Sequence, residues 1–197
     1  IDGEFKGSVF HITADKVTIE SVEIINVGFS FTKEFAAIHL YRVDSFELIN
    51  NVLDQVFFGI LIEKSHFGRI HGNRIRSNGT TEAGSGNGIH LWHSSHVEIS
   101  YNSTSGLRDG IYFEFVDSSS IHHNESFNNL RYGLHFMFSN QDSYNHNHFH
   151  HNGAGVAVMF SKGIQMENNL FEKKLFHYIH CMIIKFFVSF LGKGFNW

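Results

Sequence analysis

The sequence has no proline and only one cysteine, Cys181, in 197 residues. A single cysteine excludes an intramolecular disulfide framework and a cysteine-based zinc finger. Charged residues make up only 17% of the chain, and 15 basic against 19 acidic residues give a net charge of −4. This balance argues against the basic face that nucleic-acid binding requires, so we expect no nucleic-acid partner.

Phenylalanine and histidine are the residues in excess, with 22 and 16 copies. High aromatic content together with low charge excludes a disordered chain, and the length allows a sizeable core. The histidines hint at metal-dependent or pH-dependent chemistry. No phosphate loop, dinucleotide fingerprint or metalloprotease motif is present.

A repeat of 22 to 23 residues runs through the chain. Its starting positions are Ala37, Gly59, Gly88, Gly110, Gly133 and Gly155. One longer interval contains a polar insertion at 78–87, which predicts a surface loop. Aliphatic residues alternate after each start, and the position 14 residues on is asparagine in all six repeats: Asn51, Asn73, Asn102, Asn124, Asn147 and Asn169.

Short alternating runs broken by Gly, Asn and Ser predict strands, and a unit this short cannot bury its own apolar face. Stacked units solve this problem if each strand pairs in parallel with its equivalent one coil away. The sequence therefore predicts an all-β fold, a right-handed parallel β-helix with 22–23-residue coils. The asparagines become a ladder of amides at one turn and tolerate left-handed backbone there.

A leucine-rich repeat is the rival fold, because its period and its asparagine are similar. The leucine that this fold expects is replaced by serine in four repeats of six, and no helical period follows the asparagine. We expect the β-helix domain to span 1–172, with an irregular first coil at 8–25. The chain starts at Ile1 with coils already under way, so we expect a fragment or a processed chain.

The composition changes abruptly at Lys173. The 173–197 segment is rich in Phe, Ile and Lys, and its apolar part from Leu175 to Leu191 is too short and too interrupted for a typical membrane span. It can be a packed end-cap, a membrane-surface segment or the product of a frameshift.

One candidate metal site lies on the outer face of the sheet that the predicted first strands of the coils form together. Met137 and Met159 occupy equivalent places on adjacent coils, so their backbones should lie about 4.8 Å apart. His135 is two residues from Met137 on the same outward face. Two thioethers and an imidazole suit Cu(I), although outward methionines can equally pack under a loop or a partner.

A second candidate site lies beside the asparagine ladder. His123 and His146 precede Asn124 and Asn147 and share one column, next to the histidine-rich run at 145–151. Histidines stacked one coil apart could bind Cu(II), Zn or Ni. Histidine is also a polar, turn-tolerant residue on a solvated face, and this reading remains open.

An enzymatic β-helix that cleaves acidic polysaccharides is an alternative. Its acid and base candidates are carboxylates near arginines on the strand that carries the methionines. They are Arg108, Asp109, Glu114, Glu63 and Arg131. A purely structural or adhesive solenoid is the third class.

Residues 88–161 closely resemble the NosD family. The resemblance is carried by GIHLW at 88–92, LRDGIYFE at 107–114, LRYGLHFMFS at 130–139 and NGAGVAVMFS at 152–161. A generic β-helix would share only the Gly, Ile and Asn columns. More loosely, the resemblance extends over 1–172.

The resemblance implies a non-catalytic, periplasmic role in nitrous oxide reductase maturation. Members of this family work with an ABC-type ATPase and permease to supply copper, received from a lipoprotein chaperone, to the reductase. They are longer at both ends than this chain. Copper, as Cu(I), is therefore the expected ion, whereas the ligand set of His135, Met137 and Met159 is our inference from spacing and from the softness of copper.

Overall fold

The computed structural model describes residues 1–30, 32–172 and the backbone of 182–184. In this part of the chain every regular element is a β-strand of three to six residues. Each strand pairs in parallel with its equivalent on the neighbouring coil. The protein is a right-handed parallel β-helix, which confirms the fold predicted from the repeat.

Three parallel sheets form the walls of the β-helix, and each full coil contributes one strand to each sheet. The first sheet contains β1 (Phe10–Ile12), β4 (Ala36–Tyr41), β7 (Phe58–Glu63), β10 (Ile89–Trp92), β13 (Asp109–Glu114), β16 (Tyr132–Met137), β19 (Ala154–Met159) and β22 (Met182–Ile184). The second contains β2 (Thr18–Glu20), β5 (Asp44–Ile49), β8 (His66–His71), β11 (Ser95–Ser100), β14 (Ser120–His122), β17 (Ser143–Asn145) and β20 (Gln165–Glu167). The third contains β3 (Glu23–Ile25), β6 (Val52–Asp54), β9 (Arg74–Arg76), β12 (Ser103–Ser105), β15 (Glu125–Phe127), β18 (His148–His150) and β21 (Leu170–Glu172).

The core is a continuous stack of aliphatic and aromatic side chains inside the three sheets. Equivalent residues such as Ile89 and Ile111 pair in register and are fully buried. The glycine that opens five of the six repeats fits the close packing at the entry to the first sheet. A Cβ on Gly133 would lie 2.6 Å from the ring of Phe149 and 2.7 Å from the carbonyl oxygen of Gly155.

The asparagine ladder runs along the corner between the second and third sheets. Both the backbone NH and the side-chain Nδ2 of Asn124 donate to Oδ1 of Asn147, at 2.9 and 3.0 Å. Asn102 donates in the same way to Oδ1 of Asn124, at 2.8 and 3.0 Å. The predicted coil-to-coil ladder is therefore confirmed.

The left-handed backbone at this corner belongs to the residue before each ladder asparagine, not to the asparagine itself as predicted. At this corner, φ lies between 52° and 67° at the six residues that precede the ladder asparagines: Asn50, Gly72, Tyr101, His123, His146 and Asn168. The left-handed residue turns the chain, which leaves the asparagine side chain free to point along the stack.

The polar insertion predicted as a loop has no strand between Arg76 and Ile89. The predicted irregular first coil is present as β1, β2 and β3. Expectations for 173–197 lie outside the described residues, apart from the backbone of Met182–Ile184, which pairs in parallel with β19. Among the described residues, no helix is long and apolar enough to cross a membrane.

Candidate functional site on the outer face of the first sheet

The central outward column of the first sheet is largely buried, although alternation along the strands points its side chains away from the core. Its members pair in register and are His39, Leu61, His90, Tyr112, His135 and Ala157. Four of the six are at most 5% exposed. The cause is that large neighbours cover one another across coils: the ring of Phe58 stacks on His90 with centroids 5.7 Å apart.

Asp109 is the centre of a buried polar cluster on this face. Its side chain is fully buried, and the backbone NH of Tyr132 donates to Oδ1 at 3.2 Å. Arg131 Nε lies 3.4 Å from Oδ1, while Arg108 Nε lies 3.9 Å from Oδ2. His135 Nδ1 lies 3.5 Å from the same Oδ2 atom. Two guanidinium groups therefore flank one carboxylate that has no access to bulk water.

The aromatic members of the column continue this cluster along the stacking direction. The ring of Tyr112 lies between His90 and His135, at 4.7 Å from each ring centroid. Arg108 Nε donates to Oδ1 of Asn87 at 3.2 Å, which links the cluster to the end of the inserted loop. We call Arg108, Asp109, Arg131, His90, Tyr112 and His135 the Asp109 cluster.

Burial sets the charge states of two members of the Asp109 cluster, His90 and Tyr112. Burial, with Arg108 and His135 nearby, lowers the pKa of His90 to about 3. Burial, with Glu114 and Asp109 nearby, raises the pKa of Tyr112 to about 12. Near neutral pH, His90 is a neutral imidazole and Tyr112 a neutral phenol.

Several polar atoms of the Asp109 cluster are buried without a hydrogen-bond partner. They include Nε2 of His90, Nε2 of His135 and Oδ2 of Asp109. An unsatisfied buried group costs about 1–3 kcal/mol, so such atoms are rare unless a ligand or an ordered water completes them. All three residues belong to one buried cluster, which makes this face a candidate binding site.

Met137 and Met159 lie at the edge of this cluster. The two residues are direct register partners on β16 and β19, and both are half-buried. His135 is almost fully buried, and its Nδ1 faces Asp109 and Arg131, with an Arg131 guanidinium nitrogen at 3.2 Å. Its Nε2 atom is thus the one left for a ligand. That the three residues bind copper stays a prediction.

An acidic pocket lies beside the methionines on the same sheet. It has a volume of about 230 Å³ and is lined by Glu34, Glu63, His90, Trp92 and Glu114. Burial, followed by repulsion from Glu63, raises the pKa of Glu34. The carboxylates of Glu63 and Glu114 thus face this pocket, whereas Asp109 lies among arginines.

His123 and His146 form a stacked pair at the corner of the second and third sheets. Their ring centroids are 5.1 Å apart and the planes differ by 4°, and Tyr101 stacks on His123 at 4.8 Å. Both histidines are exposed. Lone pairs in two parallel rings run side by side and do not converge on one ion. The structure brings these residues together as an aromatic ladder, and their role as metal ligands stays a prediction.

A group of metal-type ligands that the sequence analysis did not assign lies on the third sheet. Glu125, His148 and His150 place one donor atom each within 4.8 Å of one another. The histidine run contained two of them, but spacing within the run could not show that Glu125 lies one coil away. The available signal was the alternation in His148-Phe149-His150, which puts both imidazoles on one face of a strand.

Comparison with known proteins identifies the class. The family model described as "Periplasmic copper-binding protein (NosD)" matches residues 76–179, more than half of the chain. The protein is thus a periplasmic β-helix protein of a copper-binding class. It belongs to the NosD family, which confirms the resemblance seen in the sequence and the expected periplasmic location.

One curated relative supports the same family. The chain is 30% identical over 112 residues to "Probable ABC transporter binding protein NosD" from Pseudomonas aeruginosa. The match covers 56% of this chain and 26% of that protein. The chain thus spans about a quarter of the length of the relative that it matches.

Solved structures of similar fold come from carbohydrate-active proteins. The periplasmic alginate epimerase AlgG matches with a TM-score of 0.65 at 14% identity, covering 81% of this chain and 42% of that one. DFA-IIIase from Arthrobacter chlorophenolicus, without its lid and in complex with GF2, matches with a TM-score of 0.63 at 22% identity, with the same coverage. At these identities the likeness concerns the fold alone.

Proposed function

We propose that this protein acts as a non-catalytic accessory protein that handles Cu(I) for the maturation of nitrous oxide reductase. Its expected partners are an ABC-type permease and ATPase, a copper chaperone lipoprotein and the reductase. The family description as a copper-binding protein and the relative's name as an ABC transporter binding protein support this role.

The observation that carries the proposal is the register pairing of Met137 with Met159, two residues along the strand from His135, whose Nε2 is buried without a hydrogen-bond partner. Thioether and imidazole ligands favour Cu(I) over harder ions. The carboxylate of Asp109 faces the other nitrogen of His135 at 3.5 Å, an arrangement that orients metal-binding histidines. Because the methionines are half-buried, a partner protein can approach the ion that they hold and exchange ligands with it.

The direct test is an anaerobic Cu(I) competition titration of the full chain. The double variant Met137→Leu/Met159→Leu removes both thioethers and keeps the apolar volume. We expect at least a tenfold loss of Cu(I) affinity, equivalent to about 1.4 kcal/mol. Met166→Leu is the matched control, because Met166 lies on β20 and packs against the core. Unchanged Cu(I) affinity in the double variant, with β structure intact by circular dichroism, would contradict the proposal.

The maturation step needs a second readout in cells. Introduced into the full-length protein of a denitrifying bacterium, the same double substitution should lower the copper content of purified nitrous oxide reductase. Full copper loading of the reductase would argue that this face does not deliver the ion.

A second candidate function is binding of an acidic saccharide by the arginines of the Asp109 cluster. The specific observation is that Arg108 and Arg131, each 30% exposed, flank a buried carboxylate on one face. Guanidinium groups recognise carboxylates well, and similar folds act on carbohydrates. Arg108→Gln/Arg131→Gln should then abolish binding of oligouronates, whereas Arg76→Gln, an exposed control, should not. Absence of oligouronate binding by the unaltered protein would remove this candidate.

A further inference from the structure

A separate set of metal-ligating side chains lies on the outer face of the third sheet. His148 and His150 flank the inward-pointing Phe149 on β18, so both imidazoles lie on the same outer side. The neighbouring strands supply carboxylates: Glu125 on β15 pairs in register with His148, and Glu172 on β21 pairs with His150. Three consecutive coils therefore contribute to one patch.

The side chains cross diagonally between the coils. Nε2 of His150 lies 3.2 Å from Oε1 of Glu125, and Nε2 of His148 lies 3.1 Å from Oε2 of Glu172. The two imidazole centroids are only 4.4 Å apart. Donor atoms of Glu125, His148 and His150 all lie within 4.8 Å of one another, and Glu172 contacts this group through His148.

Neighbouring groups hold His150 in the orientation that a ligand needs. Its ring stacks on Phe127 with centroids 4.8 Å apart and planes within 3°. Its Nδ1 lies 2.9 Å from Nδ1 of His151, so one of the two nitrogens donates to the other. This contact occupies the far nitrogen and leaves Nε2 directed toward Glu125, as outer-shell partners do in metal sites.

We propose that Glu125, His148 and His150 bind one Zn²⁺ ion and thereby fasten two successive coils together. Two imidazoles and one carboxylate are a three-ligand set of the kind found in open zinc sites, where water takes the fourth position, with ligand distances of about 2.0–2.2 Å. Glu172, from the next coil, contacts His148 and adds a second negative charge beside the ion. This set of two nitrogens and one oxygen has no thioether or thiolate, so it is unsuited to Cu(I), which separates this site from the methionine face.

The test is calorimetric titration of the metal-free full chain with zinc chloride, together with thermal unfolding at each zinc concentration. We expect one zinc equivalent to bind and to raise the unfolding temperature, because an ion that binds only the folded state stabilises it. His148→Gln/His150→Gln should lower zinc affinity at least tenfold and abolish the temperature shift.

Two matched controls make the test specific. His123→Gln/His146→Gln removes two histidines from the stacked corner, and Met137→Leu/Met159→Leu removes the thioethers; neither should change zinc affinity. If His148→Gln/His150→Gln does not fold, Glu125→Gln replaces it with the same expected loss of zinc affinity. Zinc affinity that survives Glu125→Gln, or that falls in either control, would overturn the proposal whatever the outcome for Cu(I).

Discussion

The asparagine ladder and the Asp109 cluster are both stacks of buried polar residues, but they differ in how completely they are satisfied. In the ladder, the same amide recurs from coil to coil, and from Asn73 to Asn169 each side-chain oxygen receives two donors from the coil before. In the cluster, the residue type changes from coil to coil, and Oδ2 of Asp109 and Nε2 of His135 are buried without a hydrogen-bond partner.

The difference separates a structural device from a binding surface. A repeated, fully paired amide stabilises the stack and offers nothing to a ligand. A cluster of different polar residues with unpaired buried atoms lowers the stability of the fold. Such clusters are typical of functional sites, where a ligand can pair with those atoms.

The largest effect is expected for Asn124→Ala in the middle of the ladder. Its loss leaves two donors of Asn102 without their acceptor. It also leaves the carbonyl of Ile99 without the donor Nδ2 of Asn124, which lies 2.9 Å away in the unaltered protein. At about 1–3 kcal/mol for each unsatisfied buried group, we expect the free energy of unfolding in urea to fall by about 4 kcal/mol. Asn145→Ala, at a half-buried site nearby, should cost under about 1 kcal/mol. Equal losses in the two variants would refute a special role for the ladder.

The pH dependence of stability should reveal His90 in the cluster. Its folded-state pKa, about 3, lies below the usual 6.5, so below pH 6.5 the unfolded chain binds a proton that the folded protein does not. Stability attributable to His90 is complete above pH 6.5 and is lost as the pH falls toward 3. Between pH 6.5 and 5 the loss should be about 2 kcal/mol.

The control for this prediction is His90→Gln, which cannot take up the proton. Urea unfolding of both proteins across this pH range isolates the contribution of His90 from that of other histidines. Parallel stability curves for the two proteins would show that His90 is accessible to protons in the folded state.

Asp109→Asn should cost about 1–2 kcal/mol in the free energy of unfolding, less than the loss of Asn124. Removing one partner of a fully buried ion pair costs more, but Arg108 and Arg131 are 30% exposed and can regain water. The backbone NH of Tyr132 keeps an acceptor in asparagine. Urea unfolding at neutral pH measures the difference, and a cost as large as that of Asn124→Ala would make the Asp109 cluster part of the scaffold.

The smallest effect is expected for Tyr112→Phe. The ring keeps its packing between His90 and His135, so the free energy of unfolding should change by no more than about 0.5 kcal/mol. Thermal or urea unfolding measures this change. A loss above about 1.5 kcal/mol would show that the hydroxyl stabilises the fold.

Much of the architecture could be predicted because the spacing of the repeat determines which backbone segments stack on one another. Equal spacing places Met137 beside Met159 and Ile89 beside Ile111 once parallel stacking is assumed. The left-handed position was predicted one residue too late, because only the geometry of the corner shows that the residue before the asparagine makes the turn. The prediction chose the asparagine because asparagine tolerates left-handed backbone better than most residues.

The candidate sites were less predictable, because they depend on side-chain direction and on cover from neighbouring coils. The sequence places Asp109 beside Arg108 as a candidate acid or base, but its complete burial and its approach to His135 come from packing across two coils. Glu125 and His148 are 23 residues apart and meet only through the register of the third sheet.

By itself, the sequence determined the length of the coil, the interior columns and the pairing of equivalent residues. The reason is that units of 22 to 23 residues with fixed Gly, Ile and Asn positions bury their apolar faces by stacking equivalent strands in parallel. Tertiary structure alone decided which outward residues are covered and where their polar atoms point. Those outcomes depend on contacts between unlike side chains on successive coils, which a shared period does not specify.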